Sequence, residues 1–197
     1  MSDLNAIAKA LRLFNEKAEK LERGSFFQKM MQTNAGITIS FNRTEAGNFN
    51  VSQERRGPDE EATDAFVLTF RYFIQDNENT SFRNMENFYQ AAPIDDSLKQ
   101  KFSELRRQVN EYLDQTTNIN FNGGFLTRRR IMEVFVYGGL SHANEEKRRF
   151  YKTWINDPVA GVLFEHEFTT ILRNIYIAIQ MIKRMNEEAL ESLPGPS

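Results

Sequence analysis

Between residues 62 and 77 the chain reads ATDAFVLTFRYFIQDN. Phe66, Val67, Phe70, Phe73 and Ile74 recur at helical spacing, while Leu68 and Tyr72 fall on the opposite side. A helix that is apolar nearly all round has to be covered from several directions. This stretch is therefore expected to be the central helix of a mainly α domain. Arg71 is the only charge between Asp64 and Asp76. It must reach solvent, a carboxylate or a ligand, which makes it a candidate binding residue.

Helical spacing continues on both sides. Leu4, Ile7, Ala8, Leu11, Phe14, Ala18 and Leu21 form one stripe between a Ser2 cap and a Gly24 stop. Phe82, Met85, Phe88 and Tyr89 mark a short helix capped by Ser81, and Pro93 separates it from the next. From Ser97 a long amphipathic helix carries Leu98, Phe102, Leu105, Val109, Tyr112 and Leu113. Thr127 can cap a helix through Ile131, Met132, Val134, Phe135 and Tyr137 that Gly138-Gly139 ends, and Ser141 can cap another reaching Trp154 and Ile155. Asp157-Pro158 opens the longest helix, with a cap residue followed by a first-turn proline. Its apolar side reads Val162, Leu163, Phe168, Ile171, Leu172, Ile175, Ala178, Ile179, Ile182 and Met185.

Two segments break this pattern. Ile37, Ile39 and Phe41 alternate with polar residues, as do Phe49 and Val51 after a turn holding Gly47, which is the signature of a β-hairpin. Residues 118–124, NINFNGG, read as a loop. The expected fold is mainly α: a bundle of about six or seven helices with one β-hairpin insertion near residues 37–52. Residues 1–192 are expected to form a single helical domain, with 193–197 a disordered tail.

The absence of cysteine excludes disulfides, thiolate metal sites and a thiol nucleophile. A net charge of −2 provides no global field toward nucleic acid or an anionic surface. No basic segment followed by an apolar run opens the sequence. No apolar run approaches the roughly 20 residues that span a bilayer. A cytoplasmic location without membrane contact is the expectation, and the Asn-X-Ser/Thr triplets at Asn42, Asn50 and Asn79 are read as chance matches.

Chemistry has few places to reside. Of two histidines, His142 follows a Gly138-Gly139 break and, with Ser141 and Asn144, could line an anion pocket at a helix start. The competing reading is a tight interhelical turn. His166 stands between Glu165 and Glu167, but consecutive helical positions diverge by about 100°, so the three do not converge on an ion. No metal site and no cofactor is expected. Basic residues cluster at Arg55-Arg56, Arg106-Arg107, Arg128-Arg129-Arg130 and Lys147-Arg148-Arg149. If the helices from Thr127 and Ser141 are antiparallel, Arg128, Arg129 and Arg130 would share a surface with Arg148 and Arg149, suited to phosphates. Acids lie close to each cluster, so solvated ion-paired faces account for the same pattern.

The functional expectation is a non-enzymatic helical interaction or assembly protein that binds a protein partner or a second copy of itself. It rests on the surplus of amphipathic surface in the first and last helices and on a hairpin edge. The alternative is a nucleic-acid-binding protein or nuclease accessory that uses the clustered arginines.

Overall fold

The apolar spacing of the last helix sets the architecture. In the computed structural model, which describes residues 4–22, 73, 81–121, 123–134, 146, 149, 152–153 and 156–194, this helix runs from Pro158 to Ser192. Its 35 residues make it about 52 Å long. Ile171, Leu172, Ile175, Ala178, Ile179, Ile182 and Met185 are all buried along it, as their spacing required. Leu163, which the spacing placed on the same side, is instead exposed.

Among the described residues there are five helices and one antiparallel β-hairpin. In chain order they are α1 (Leu4–Glu22), α2 (Ser81–Ala91), α3 (Asp96–Asp114), β1 (Thr116–Phe121), β2 (Gly124–Thr127), α4 (Arg128–Glu133) and α5 (Pro158–Ser192). The count falls short of six or seven; of two further expected helices, over 62–77 and from Ser141, only Phe73 and Glu146, Arg149, Lys152 and Thr153 are among the described residues, each of them helical. Phe73, on the first of these, is helical and fully buried. The hairpin expected near residues 37–52 also lies outside.

Helix ends follow local chemistry. The Asp95 carboxylate accepts a hydrogen bond from the Ser97 N–H at 3.1 Å, so α3 begins one residue earlier than a Ser97 start implied. Asp96 adds negative charge at the positive end of the helix. Thr127 caps α4 as expected: its hydroxyl oxygen accepts from the Arg130 N–H at 3.1 Å. Beyond α5, Leu193 donates its N–H to the Ala189 carbonyl at 3.1 Å and packs against the core.

The segment read as a loop is the described hairpin. In β1, Thr117 and Ile119 are buried while Thr116, Asn118 and Asn120 are exposed, so the period-two alternation of a half-buried strand is present. Phe121 pairs with Gly124, and Gly123 has φ 84°. Asn-Gly is the strongest two-residue hairpin signal because such turns require positive φ. The pairing Thr116↔Thr127 and Asn120↔Phe125 encloses a bulge. The Thr117 hydroxyl donates to the Leu126 carbonyl at 2.8 Å and accepts from the Ile119 N–H at 3.2 Å.

Four helices close a ring. Asn15 and Leu11 of α1 meet Lys183 and Asn186 of α5, so these two helices run antiparallel. Asn174 of α5 bonds Tyr112 of α3, and further along the pair Met181 and Leu105 line one groove, again antiparallel. Glu86 and Gln90 of α2 meet Arg106 and Ser103 of α3 in the same sense. Contact between α1 and α2 completes the ring α1–α5–α3–α2, in which every neighbour is antiparallel. Helix α4 and strand β1 pack against α5 beyond one end of this bundle.

An aromatic series fills the core. Phe73 lies 4.9 Å from Phe82 between ring centroids, and Phe82 meets Phe102 edge-on at 5.9 Å. Tyr89 stacks on Phe102 at 4.3 Å. Its hydroxyl donates to Asn186 Oδ1 at 2.6 Å, and Asn186 Nδ2 donates to Asn15 Oδ1 at 3.1 Å. The Asn15 amide in turn donates to the Lys183 carbonyl at 3.3 Å. Burial of these polar groups is tolerated because each finds a partner.

Phe102 touches the ring of both Phe82 and Tyr89 and is fully buried. Phe102→Ala is expected to cost about 3–5 kcal/mol in urea unfolding. A second test concerns alkali. Burial, with Glu22 nearby, pushes the Tyr176 phenol from 10.0 up to about 12. The unfolded chain therefore loses this proton first, and stability should decline as pH rises from about 10 toward about 12. Tyr176→Phe should flatten that decline in urea midpoints measured across this window.

Candidate functional site

Two regions of the described surface combine several polar or apolar groups in one place. The first is built where α3 ends and α4 begins. Helix α3 leaves carbonyls without intrahelical donors at its last turn. Thr127 starts α4 beside that end, so the side chains of Arg128, Arg129 and Arg130 leave the first turn of α4 about 100° apart.

Each arginine has a different environment. Arg128 donates from Nη1 to the Tyr112 carbonyl at 3.1 Å and to Gln115 Oε1 at 2.6 Å. Its guanidinium carbon lies 4.1 Å from the centroid of the Tyr112 ring, a cation–π distance. Its Nε is buried with no hydrogen-bond partner among the described residues. Arg129 donates from Nε to Asp114 Oδ1 at 2.8 Å, from Nη2 to Asn110 Oδ1 at 3.0 Å, and from Nη1 to the Phe73 carbonyl. Arg130 lies 3.5 Å from Glu133, one turn along its own helix, and is partly exposed. Two of the three guanidinium groups thus close the end of α3 and tie it to the segment holding Phe73.

The Tyr112 hydroxyl accepts from Asn174 Nδ2 at 2.7 Å. Burial raises its pKa, while this hydrogen bond and the nearby Arg128 charge oppose the rise. The neighbouring doublet is also paired: Arg106 bonds Glu86 at 3.2 Å, and Arg107 bonds Glu104 and Glu111. The bond from Arg107 holds the Glu104 carboxyl below its ordinary range.

Of the remaining candidates, Arg149 is exposed, and its carbonyl accepts from the Thr153 hydroxyl at 3.0 Å. Arg71, Ser141, His142, Asn144 and Arg148 lie outside the described residues. His166 is exposed on α5, and its carbonyl accepts from Thr170 Oγ1 at 3.2 Å. Among the described residues no group of three or more His, Cys, Asp or Glu side chains could hold a metal ion. None of the described helices is long and apolar enough to cross a membrane.

The second region is a groove of about 600 Å³ between α3 and α5. Leu105 and Met185, both nearly buried, form its base, and Met181 stands beside them with 44% of its surface exposed. Lys101, Glu104, Gln108 and Arg184 supply a mixed-charge rim. Ile177, 50% exposed, lies one turn before Met181, and Leu163 shares their side of α5 within about 40° of arc. These residues are exposed on α5, with Met181 at the edge that borders α3. Sequence reasoning did not place them at a site. The available signal was an excess of large apolar residues on the side of α5 that the main stripe leaves to water.

No protein-family model, curated protein or solved structure gives a significant match to the chain.

Arg129 has about 18% of its side chain exposed and serves two acceptors on α3 and the Phe73 carbonyl. Arg129→Ala should destabilise by about 1–3 kcal/mol, because the part-buried Asn110 amide and Phe73 carbonyl lose a charged donor. Arg129→Lys should recover little of this, since one ammonium cannot reproduce the planar fork. Thermal unfolding of both variants would measure the difference.

Proposed function

We propose that this chain is a non-enzymatic helical interaction protein of the cytoplasm, binding a protein partner or a second copy of itself through the outer side of α5. The observation that carries this reading is the exposure of Met181 in the groove based on Leu105 and Met185, with Ile177 exposed one turn before it on the same helix. Singly exposed apolar residues are common on protein surfaces. Here two lie one turn apart beside a groove with an apolar base, which is the arrangement an amphipathic helix can fill with its own apolar side. The rim charges Lys101, Glu104 and Arg184 would then set orientation more than affinity.

The nucleic-acid alternative draws less support from side-chain chemistry. A phosphate approaching Arg129 would have to displace Asp114, Asn110 and a backbone carbonyl, and at Arg128 it would compete with Gln115 and the Tyr112 carbonyl. Phosphate binding at such a position must first repay lost internal hydrogen bonds. Arg149 is exposed but is not accompanied by a described basic cluster.

Sedimentation across a hundredfold range of concentration, with and without short RNA, tests both readings. The expected result is reversible association that ignores RNA and is reduced at least tenfold by combining Ile177→Lys with Met181→Lys. The melting temperature of that double variant should stay within about 2 °C of the parent, since both positions are exposed. A monomer whose sedimentation shifts with RNA at low salt, and loses that shift as salt rises, would favour the arginines instead.

A further inference from the structure

We infer that the groove between α3 and α5 takes an acidic amphipathic helix of another protein, held by Lys101 and Arg184 from opposite banks. This rests on the reading that the outer side of α5 binds protein, and it names the chemistry of the partner. Leu105 and Met185 form the apolar base, and Met181 is 44% exposed at the edge. The lining carries three charges, Lys101, Glu104 and Arg184, and they are not equivalent. Glu104 already accepts hydrogen bonds from Arg107 and, at 3.1 Å, from Gln108. Lys101 and Arg184 are both exposed, and neither side chain has a hydrogen-bond or ion-pair partner among the described residues. Glu187 and Glu188 follow Arg184 within about one turn of α5 without pairing with it. The charge left open to a ligand is therefore cationic.

The two cations stand at one level. The Tyr112–Asn174 bond fixes the relative height of the antiparallel helices. Lys101 lies eleven residues before Tyr112 and Arg184 ten after Asn174, so their positions differ by about 1.5 Å along the helix axes. Like charges on facing banks repel until an anion comes between them. Both lie about one turn beyond the level of Leu105 and Met181, away from the Tyr112–Asn174 bond. A docked helix with apolar residues at i and i+4 over the base brings i+7 and i+8 to that level on the same side. Carboxylates at those two places meet Lys101 and Arg184. A second copy of α5 does not offer this pattern. With Ile177 and Met181 as i and i+4, its next turn holds Arg184 and Met185, and its preceding turn holds Arg173 and Asn174. A copy thus opposes cation to cation, whereas an acidic helix complements the groove and competes with the copy for Met181.

The test uses the full-length chain and two fluorescein-labelled synthetic helices. Both carry Leu at i and i+4; one has Glu and the other Lys at i+7 and i+8. Anisotropy titrations at low salt should show the Glu helix binding about tenfold more tightly than the Lys helix, with the ratio shrinking as salt rises. Lys101→Glu combined with Arg184→Glu should invert the preference. The melting temperature of that variant should stay within about 2 °C of the parent, since both residues are exposed. Met181→Lys should weaken the Glu helix at least tenfold. Equal affinity of the two helices for the parent would overturn the inference, as would a preference that survives the double charge reversal or binding indifferent to Met181→Lys. If neither helix binds while the chain self-associates through Ile177 and Met181, the occupant is a second copy: the inference fails and the docking role of this side of α5 stands. A chain that stays monomeric and binds neither helix removes both.

Discussion

A helix of 35 residues with one continuous apolar side has no stable existence until other elements cover that side, and everything else described in this fold is arranged to do so. Helices α1 and α3 flank α5 in the opposite direction, α2 bridges them, and α4 with β1 continues the cover beyond the bundle. The constraint is geometric as well as energetic. Antiparallel neighbours let short connections suffice between α2 and α3, where the chain turns within residues 92–95. They also place the two asparagines, Asn15 and Asn186, at one level of the core although they are 171 residues apart.

Charge in this protein is used mainly inside the fold. The Arg128-Arg129-Arg130 run looks like a phosphate-binding cluster when written in one line. In space the three side chains diverge, and two of them finish the end of α3. An arginine beside the last turn of a helix meets carbonyls that have no other donor and the negative end of the helix dipole. The same economy appears between α1 and α5, where Lys183 lies 3.5 Å from Glu22 and 3.8 Å from Glu19. The outer side of α5 contrasts with these saturated regions, because Ile177 and Met181 have no comparable cover.

Much of the helical pattern was legible from spacing. The buried apolar residues of α1, Ile7, Leu11, Phe14, Ala18 and Leu21, are all on the stripe read from sequence, and so are Leu98, Phe102, Leu105, Val109 and Leu113 of α3. Period 3.6 survives over five turns and is hard to misread. The hairpin from Thr116 to Thr127 was taken for a loop because its strands are short and rich in Asn, Thr and Gly. Composition outweighed the alternation of Thr117 and Ile119 with their polar neighbours. The cluster around Asn186 was not legible at all. Asparagine on a helix reads as solvent-facing, and only the approach of Tyr89 and Asn15 from distant parts of the chain makes its burial favourable. The groove was missed for a related reason: it exists between two helices, while periodicity describes one helix at a time.

The pairing of α1 with α5 has a consequence for synthesis. Helix α1 is made well before its partner, since its buried side matches a helix whose Asn186 is polymerised 171 residues after Asn15. At about 5–20 residues per second, that interval is roughly ten to thirty seconds. During this time Phe14, Leu11 and Ile7 cannot reach the surface that covers them in the finished bundle. Helices α2 and α3 are close in sequence and can pair as soon as both emerge. Until α5 is made, the side of α1 that α5 covers in the finished bundle stays open to chaperones and to neighbouring nascent chains alike.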